Sequence, residues 1–384
     1  MYSNAIRISD IPWALMELGH TVETAEIYFE FTLREKEKEE ELLGILSRTE
    51  YDFVITYNYL SQVSDVCERA GIRYASWTYD SPDLLLFTPS VKNKCNRIFL
   101  FDAKQVEQVK GAGGSHVYHL PLAANVSRMD RIVATPEEEK QFGADISFVG
   151  SLYDSNPYRD VQAGLPDSVQ EFYETLFQEQ LGRYKNRNLM HATPQWVQEY
   201  WNGVYGEENL THQLKMEDNL FYSQYFITHE LASRERREAL VRLARQGHQV
   251  QLYTHAADVA MEGVRVRPAV RYEDEMIKVF FSSRINLNLT IPSIETGIPL
   301  RVYDILASGG FLLCNWQEEL AQQFTPGEDL IVFEDLDDLC RKAEYYLTHE
   351  RERLSIAIQG WKTVHDCHTY LLRMQELVEK TMDR

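Results

Sequence analysis

The chain has 384 residues, of which 44% are apolar and 26% charged, and its formal net charge at pH 7 is −20. That length accommodates two domains of ordinary size, and the composition is that of a soluble globular protein. The negative charge argues against broad binding to nucleic acid or to an anionic membrane, and no run approaches the roughly 18 apolar residues that span a bilayer.

The elements alternate from the start. Asp10 to Leu18 carries apolar residues at helical spacing and ends at Gly19, so a helix is expected there. Thr21 to Tyr28 reads as a strand and Phe31 to Ser47 as a charged amphipathic helix. Phe53 to Thr56 is a short buried strand, Leu60 to Ala70 a helix, and Ile72 to Thr78 the next strand. Asn96 to Phe101 and Val117 to Leu120 are two more. This β–α order predicts a parallel sheet. Only residues 1 to 9 precede the first helix, so the opening strand is expected to be short, or the chain to start late.

A polar break at Ala124 to Gln141 is followed by a second alternating region. Asp145 to Gly150 begins with a strand, and residues 155 to 225 are mostly helical in pattern. Within them the aromatic run Phe221 to Phe226 reads as core. A helix is expected at Arg234 to Arg245, strands at Gln249 to Tyr253 and near Val264, and a helix at Asp274 to Phe281. Ile285, Leu287 and Leu289 alternate with Asn286 and Asn288 as in a strand. Thr290 to Pro299 is a loop, Leu300 to Leu306 a helix closed by Ser308-Gly309-Gly310, and Phe311 to Cys314 a buried strand. A helix at Leu336 to Thr348 and a helical tail from Ser355 to Met382 complete the chain.

The first fifteen residues lack a basic segment followed by an apolar core, so no signal peptide is expected. Five scattered cysteines without a C-x-x-C pair disfavour disulfides and structural zinc and suit a reducing cytoplasm.

Three motifs carry chemistry. Phe148-Val149-Gly150-Ser151 runs a strand into a glycine turn, where backbone amides can approach a diphosphate closely; an ordinary turn accounts for it about as well. Thr296-Gly297-Ile298-Pro299-Leu300-Arg301 opens the helix that carries Asp304. Arg301 suits a diphosphate, and Asp304 can accept hydrogen bonds from a ribose diol or simply complement the helix N-terminus. Trp77-Thr78-Tyr79-Asp80-Ser81-Pro82 ends a strand, where open sheets place ligands. Asp80 is there a candidate base, or an Asx turn before Pro82. His119 and His229 are further candidates for the chemistry, each equally readable as an ordinary structural histidine. Arg234, Arg236 and Arg237 sit early in a helix, unfavourably for its dipole, so a phosphate or a buried acid such as Glu230 is expected to hold one of them.

The run NLNLTIPSIETGIPLRVYDILASGGFLL, with FVGSLY upstream, WTYDSP in the first half and HTYLLRMQEL in the tail, resembles the CgeB-like, spore-maturation-type glycosyltransferases over most of the chain. The resemblance implies the GT-B architecture: an α/β protein of two Rossmann-like domains whose parallel sheets face a cleft. It implies an acceptor domain at 1–130 and a sugar-nucleotide domain at 142–360 with a helical insertion at 155–225. A final helix at 361–384 would pack back on the first domain. Larger GT-B families carry two glutamates eight residues apart around this helix start, and the second holds the donor ribose. Here Thr296 takes the first place and Asp304 the second, while Glu295 is one residue out of register. No metal and no cofactor are expected, because helix dipole and basic side chains can meet the leaving diphosphate.

The leading expectation is thus a metal-independent transfer of sugar from a nucleoside-diphosphate sugar, UDP-sugars first, to an acceptor of unknown identity. A sugar-nucleotide epimerase and a non-catalytic nucleotide-sugar-binding partner protein of the same fold are the alternatives. A nicotinamide dehydrogenase is weaker, because no G-x-G-x-x-G follows a strand near the start.

Overall fold

The computed structural model describes residues 9–29, 35–185, 187, 189–205, 218–256 and 259–383. Two parallel sheets form its α/β frame. The first holds β1 (Phe53–Tyr57), β2 (Arg73–Thr78), β3 (Asn96–Leu100) and β4 (Val117–His119), side by side in chain order. Helix Ser61–Ala70, the short turns Leu84–Phe87 and Pro89–Lys92, and helix Ala103–Gly111 connect them. Strands in simple order with crossovers of one hand place their connections on one face. Tyr74, Ile98 and Leu100 point to that face, under Val63, Leu86 and Val109. Ala75, Trp77 and Phe99 point the other way, as the period of two requires, and meet Ile11 and Leu15 of helix Asp10–Glu17 and Met374 and Leu377 of the last helix.

The second sheet holds β5 (Ile146–Val149), β6 (Val250–Thr254), β7 (Val264–Pro268), β8 (Ile285–Asn288), β9 (Leu312–Asn315) and β10 (Ile331–Phe333). Their spatial order is β10-β9-β8-β5-β6-β7, all parallel. The chain winds outward from β5 through β6 and β7, then returns to β8 on the other side of β5. The winding therefore reverses between β5 and β8, which pair at Ile146↔Ile285 and Ser147↔Asn286. Both asparagines of β8 are buried. Asn286 accepts from the Ser147 hydroxyl at 2.7 Å and donates to the Phe280 carbonyl at 2.9 Å.

Between β5 and β6 lie helices Pro157–Val161, Asp167–Gln180, Gln195–Tyr205 and Asp218–Tyr222. Trp201 stacks on Phe226 with centroids 4.2 Å apart and donates from its indole to the Tyr173 hydroxyl at 2.9 Å. These aromatics belong to the same apolar cluster as the outer face of the first sheet, although the chain reaches them from the second. The tail folds as two helices, Glu350–Cys367 and Tyr370–Met382. Between them Ala124 N donates to the His368 carbonyl at 3.0 Å, and Tyr370 N to the Ala124 carbonyl at 3.1 Å. Tyr370 then packs edge-on against Trp77 at 5.4 Å, so the last helix crosses back onto the first sheet. Among the described residues no helix is long and apolar enough to cross a membrane.

The structure departs from the sequence reading in a few elements. Thr21 to Tyr28 forms no strand. An opening strand would fall on residues 1–8, outside the described residues, as do residues 30–34 of the expected second helix, which is seen as Lys36–Leu46. Helix Ala103–Gly111, helix Pro136–Phe142 inside the polar break, and β10 were not anticipated.

Candidate active-site cleft

Open parallel sheets bind ligands where the winding reverses, because the loops leaving two neighbouring strands diverge there and leave a crevice. A cleft of about 610 Å³ opens at the C-terminal ends of β5 and β8. Gly150 and Ser151 follow β5 into it, Leu289 and Thr290 follow β8, and Pro299, Leu300 and Arg301 line it from the start of helix Leu300–Ala307. Tyr79 to Pro82, at the end of β2, close it from the first sheet. Gly150 N still donates to the Tyr253 carbonyl at 3.0 Å, extending the ladder by one bond. Tyr153, at φ +52°, then turns the chain, and Asn156 caps helix Pro157–Val161. A side chain on Gly150 would come 3.3 Å from the Phe148 ring and 3.9 Å from Arg236.

Arg236 is the central cation. Its guanidinium donates to the Ser151 carbonyl at 2.6 Å and to the Leu289 carbonyl at 2.7 Å, tying together the two strand ends that diverge. Its Nε has no partner, and no carboxylate lies within ion-pair distance among the described residues. It lies over the rings of Tyr153 and Phe148 at 4.7 and 5.3 Å, yet it is only 8% exposed. A buried guanidinium without a carboxylate in contact is costly, which makes it receptive to an anion.

The three arginines separate on helix His229–Arg245 because each step turns the side chain by about 100°. Arg234 turns away into a two-pronged pair with Glu174 (2.7 and 2.8 Å) and a bond to Glu230 at 2.8 Å. Arg237 pairs with Asp154. Neither lines the cleft. His229, seven residues before Arg236 and so on its face, does line it. Burial, and secondarily the charge of Arg236, hold its imidazole below the usual value, so it is neutral at pH 7. Its Nδ1 is buried without a partner. No helix begins at His229: the chain is already helical from Asp218, through a π-helical stretch at Ser223–Thr228. The unfavourable dipole position expected of these arginines therefore does not arise.

The loop before helix Leu300–Ala307 divides between two tasks. Arg301 reaches the cleft, but Asp304, one turn further in, is fully buried. It accepts from the Tyr272 hydroxyl at 3.1 Å and from Arg301 at 3.2 Å. The carboxylate expected to meet a ribose is thus buried, bonded to Tyr272 and Arg301, and does not line the cleft. Ile298 is core. Thr296 and Gly297 face the first domain rather than the cleft. Thr296 Oγ1 lies 2.7 Å from both Asp102 and Glu319, and a Cβ on Gly297 would meet the backbone of Phe101 and Asp102 at 2.9 Å. Glu319 also accepts from Ala103 N at 2.9 Å and lies 2.8 Å from His119. His119 is therefore part of an interdomain latch and does not line the cleft. The Glu319 hydrogen bond holds its imidazole above the usual value. Burial pushes Glu319 upward, but His119, Ala103 and Thr296 outweigh it and leave the carboxyl below its usual range.

Two further acids stand near the site: Glu295, which the sequence places one residue out of register, and Asp83, which the sequence reading did not single out. Burial, with help from the Asp102 charge, pushes Glu295 up to about 7; it faces a second cavity of about 380 Å³ that shares Thr290 and Ile291 with the main cleft. Asp83 is likewise pushed up to about 7 by burial. It accepts from Tyr59 N and Leu85 N, each at 3.0 Å, and so fixes the turn after Asp80. Asp80 lines the cleft from the first sheet and accepts from Asn58 Nδ2 at 2.7 Å. Asn58 stands at φ +55° at the end of β1 and also accepts from Tyr79 N at 2.7 Å, so it clamps the turn that presents Asp80. An asparagine directly after a strand, followed by hydrophobic residues, is the one local signal for this clamp.

Residues 234–379 match a family model described as glycosyl transferase-like. No curated protein matches the chain. Among solved structures, a glycosyltransferase from Rickettsia africae ESF-5 is similar with a TM-score of 0.53 and 11% identity, over 97% of this chain and 92% of that one. OtsA in its apo form is similar at 0.52 and 10% identity, over 100% and 83%. Anabaena HepE in complex with UDP-glucose is similar at 0.49 and 8% identity, over 89% and 81%. At such identities the likeness speaks of fold alone. The chain has the two-domain GT-B fold, and the match to the glycosyl transferase-like family lies on its residues 234–379.

Proposed function

We propose that this chain transfers a sugar from a nucleoside-diphosphate sugar to an acceptor hydroxyl, with UDP-sugars the first donors to test, without a metal ion and in the cytoplasm. The observation that carries this reading is Arg236: a buried cation without a carboxylate partner among the described residues, set at the point where the second sheet reverses. The donor diphosphate would lie between Arg236 and Arg301, against the backbone of Gly150 and Ser151. These donors then meet the charge that grows on the diphosphate as the glycosidic bond breaks. Neutral His229 is placed to hydrogen-bond the donor rather than to repel or attract it by charge. The acceptor would sit on the side of the first domain, near Asp80. If configuration inverts, Asp80 takes the hydroxyl proton as the acceptor oxygen attacks the anomeric carbon and the diphosphate leaves with the bonding electrons. Under retention Asp80 orients the acceptor. Membership of the CgeB-like subfamily, and domain limits at 1–130, 142–360 and 361–384, belong to the same proposal.

The test is a thermal-shift series with UDP, GDP, dTDP and CMP and their sugars in EDTA. One diphosphate is expected to stabilise the protein. Arg236→Lys keeps the charge but loses the fork. Arg301→Ala removes the second cation that lines the cleft. Each is expected to weaken that nucleotide by about tenfold or more, the worth of one charge-assisted hydrogen bond. A wild-type protein that no nucleotide stabilises, or folded variants with unchanged affinity, would overturn the reading.

A further inference from the structure

The aromatic run Phe221 to Phe226 reads as core in the sequence, and most of it is: Tyr222 and Phe226 are buried and pack with Trp201. Tyr225 is different. It is 38% exposed and lies on the wall of the cleft with Phe221. The two rings stack at 5.4 Å with an interplanar angle of 13°. The helix is π-helical from Ser223 to Thr228, a local rearrangement that costs regular hydrogen bonding and recurs at functional sites. Opposite this pair, the first domain contributes Tyr79, Pro82 and Leu84, with Asp80 between them. By helix rise, Tyr225 lies about 15 Å along the axis from Arg236. The cleft therefore has its cations at the strand ends, over Phe148 and Tyr153, and a second group of aromatic rings on the inserted helices.

We propose that Tyr225, backed by the stacked ring of Phe221, forms a stacking platform for the acceptor. The platform selects an uncharged acceptor whose hydroxyl is carried on a ring with an exposed C–H or aryl face. The proposal rests on the transferase reading above and names the acceptor class for the same cleft. Aromatic faces hold such rings by apolar contact and by the attraction of polarised C–H groups to the π-cloud. Among the described residues, the charged side chains that line the cleft are Asp80, Arg236 and Arg301, and the two arginines belong to the proposed diphosphate site. The net charge of −20 disfavours a polyanionic acceptor. Sugar rings and phenols share the required face.

The test uses saturation-transfer NMR and competition with four probes: methyl β-D-glucoside, phenyl β-D-glucoside, 4-nitrophenol and glycerol. Wild-type protein is compared with Tyr225→Ala and with the milder Phe221→Leu, which suits a nearly buried ring. The ring-bearing probes are expected to bind with the strongest transfer to ring protons, and glycerol to bind far more weakly. Comparing the methyl glucoside with 4-nitrophenol tells a sugar face from an aryl face. Tyr225→Ala is expected to weaken ring binding by about three- to tenfold while UDP affinity changes by less than about twofold. The proposal is overturned if the variants weaken UDP as much as the rings, if they leave ring binding unchanged, or if glycerol competes as well as the rings. Wild-type UDP binding, measured alongside, reports on the transferase reading separately: its absence defeats that reading, whereas an unchanged ring affinity in Tyr225→Ala defeats only the platform.

Discussion

Two charged residues on separate helices were given donor roles by position, and the structure treats them in opposite ways. Arg236 keeps its guanidinium at the cleft and spends its bonds on two backbone carbonyls. Asp304 is sealed beneath Tyr272 and spends its bonds on that hydroxyl and on Arg301. Its loss should therefore be felt in stability rather than in donor affinity. Asp304→Asn keeps the shape and removes the charge. It is expected to cost about 1–3 kcal/mol in urea unfolding, with a donor KM changed less than about threefold. A donor KM raised about tenfold with stability intact would restore the ribose role. That Arg301, Gly150, Ser151 and Asp80 line the cleft was legible from residue type and strand ends. That Thr296, Gly297 and His119 serve the domain contact was not, because their partners Asp102 and Glu319 are remote in the chain.

At the scale of elements, local rules were reliable where the signal was local. Helix Leu300–Ala307 stops as the Gly-Gly pair predicts: Gly309 has φ +74°, and Gly310 N donates to the Ile305 carbonyl at 3.1 Å. Gly310 is required for a second reason, since a Cβ there would come 2.6 Å from Asn286 Nδ2 and 2.9 Å from the Phe280 carbonyl, which are bonded to each other. Gly310→Ala is expected to cost about 2 kcal/mol. Gly44, in helix Lys36–Leu46 with open space around it, provides the control: Gly44→Ala should stabilise by up to about 1 kcal/mol. Equal effects at the two sites, measured by denaturant unfolding, would contradict the packing argument. Helix Pro136–Phe142 was readable and missed, for Thr135 and Glu138 form a complete capping box with Pro136 at the first position. Strand β10, three residues long, is too short for periodicity to mark it.

At the scale of the molecule, the two domains are latched by Asp102, His119, Thr296 and Glu319, and the latch titrates. The imidazole of His119 is held above its ordinary 6.5. Its contribution is complete below that value and fades as pH rises through the raised one. Glu319 is held below its ordinary 4.5, so its contribution is complete above that value and is lost as pH falls through the lowered one. The pair is strongest between these limits. Glu295 and Asp83, pushed up to about 7 by burial, act in the same sense as His119: both are better tolerated protonated, so stability falls as pH rises from their ordinary 4.5 and 3.8 through about 7. Thermal unfolding should therefore be highest at about pH 4.5–5, where Glu319 is ionised and Glu295 and Asp83 still hold their protons, and decline as pH rises through about 7. Glu295→Gln, which keeps the oxygen that Gln108 bonds at 2.7 Å, should flatten the decline. A melting temperature that climbs from pH 6 to 8 would refute this assignment.

By itself the sequence determined the β–α alternation, the ends of most helices and the strand ends at which a ligand site forms, because periodicity, caps and glycine turns act over a few residues. Its family-like motifs pointed to the same two-domain architecture. Only the tertiary structure decided which side chain of each motif reaches the cleft. A helix's rotational phase is set by what packs against it: Tyr272 covers Asp304, and Glu174 and Asp154 draw Arg234 and Arg237 away from Arg236. It also decided that the inserted helices bury their aromatics with the first sheet and leave Tyr225 at the cleft. The contacts that turn Asp304, Arg234 and Arg237 join residues 32, 60 and 83 positions apart, beyond the reach of any local pattern.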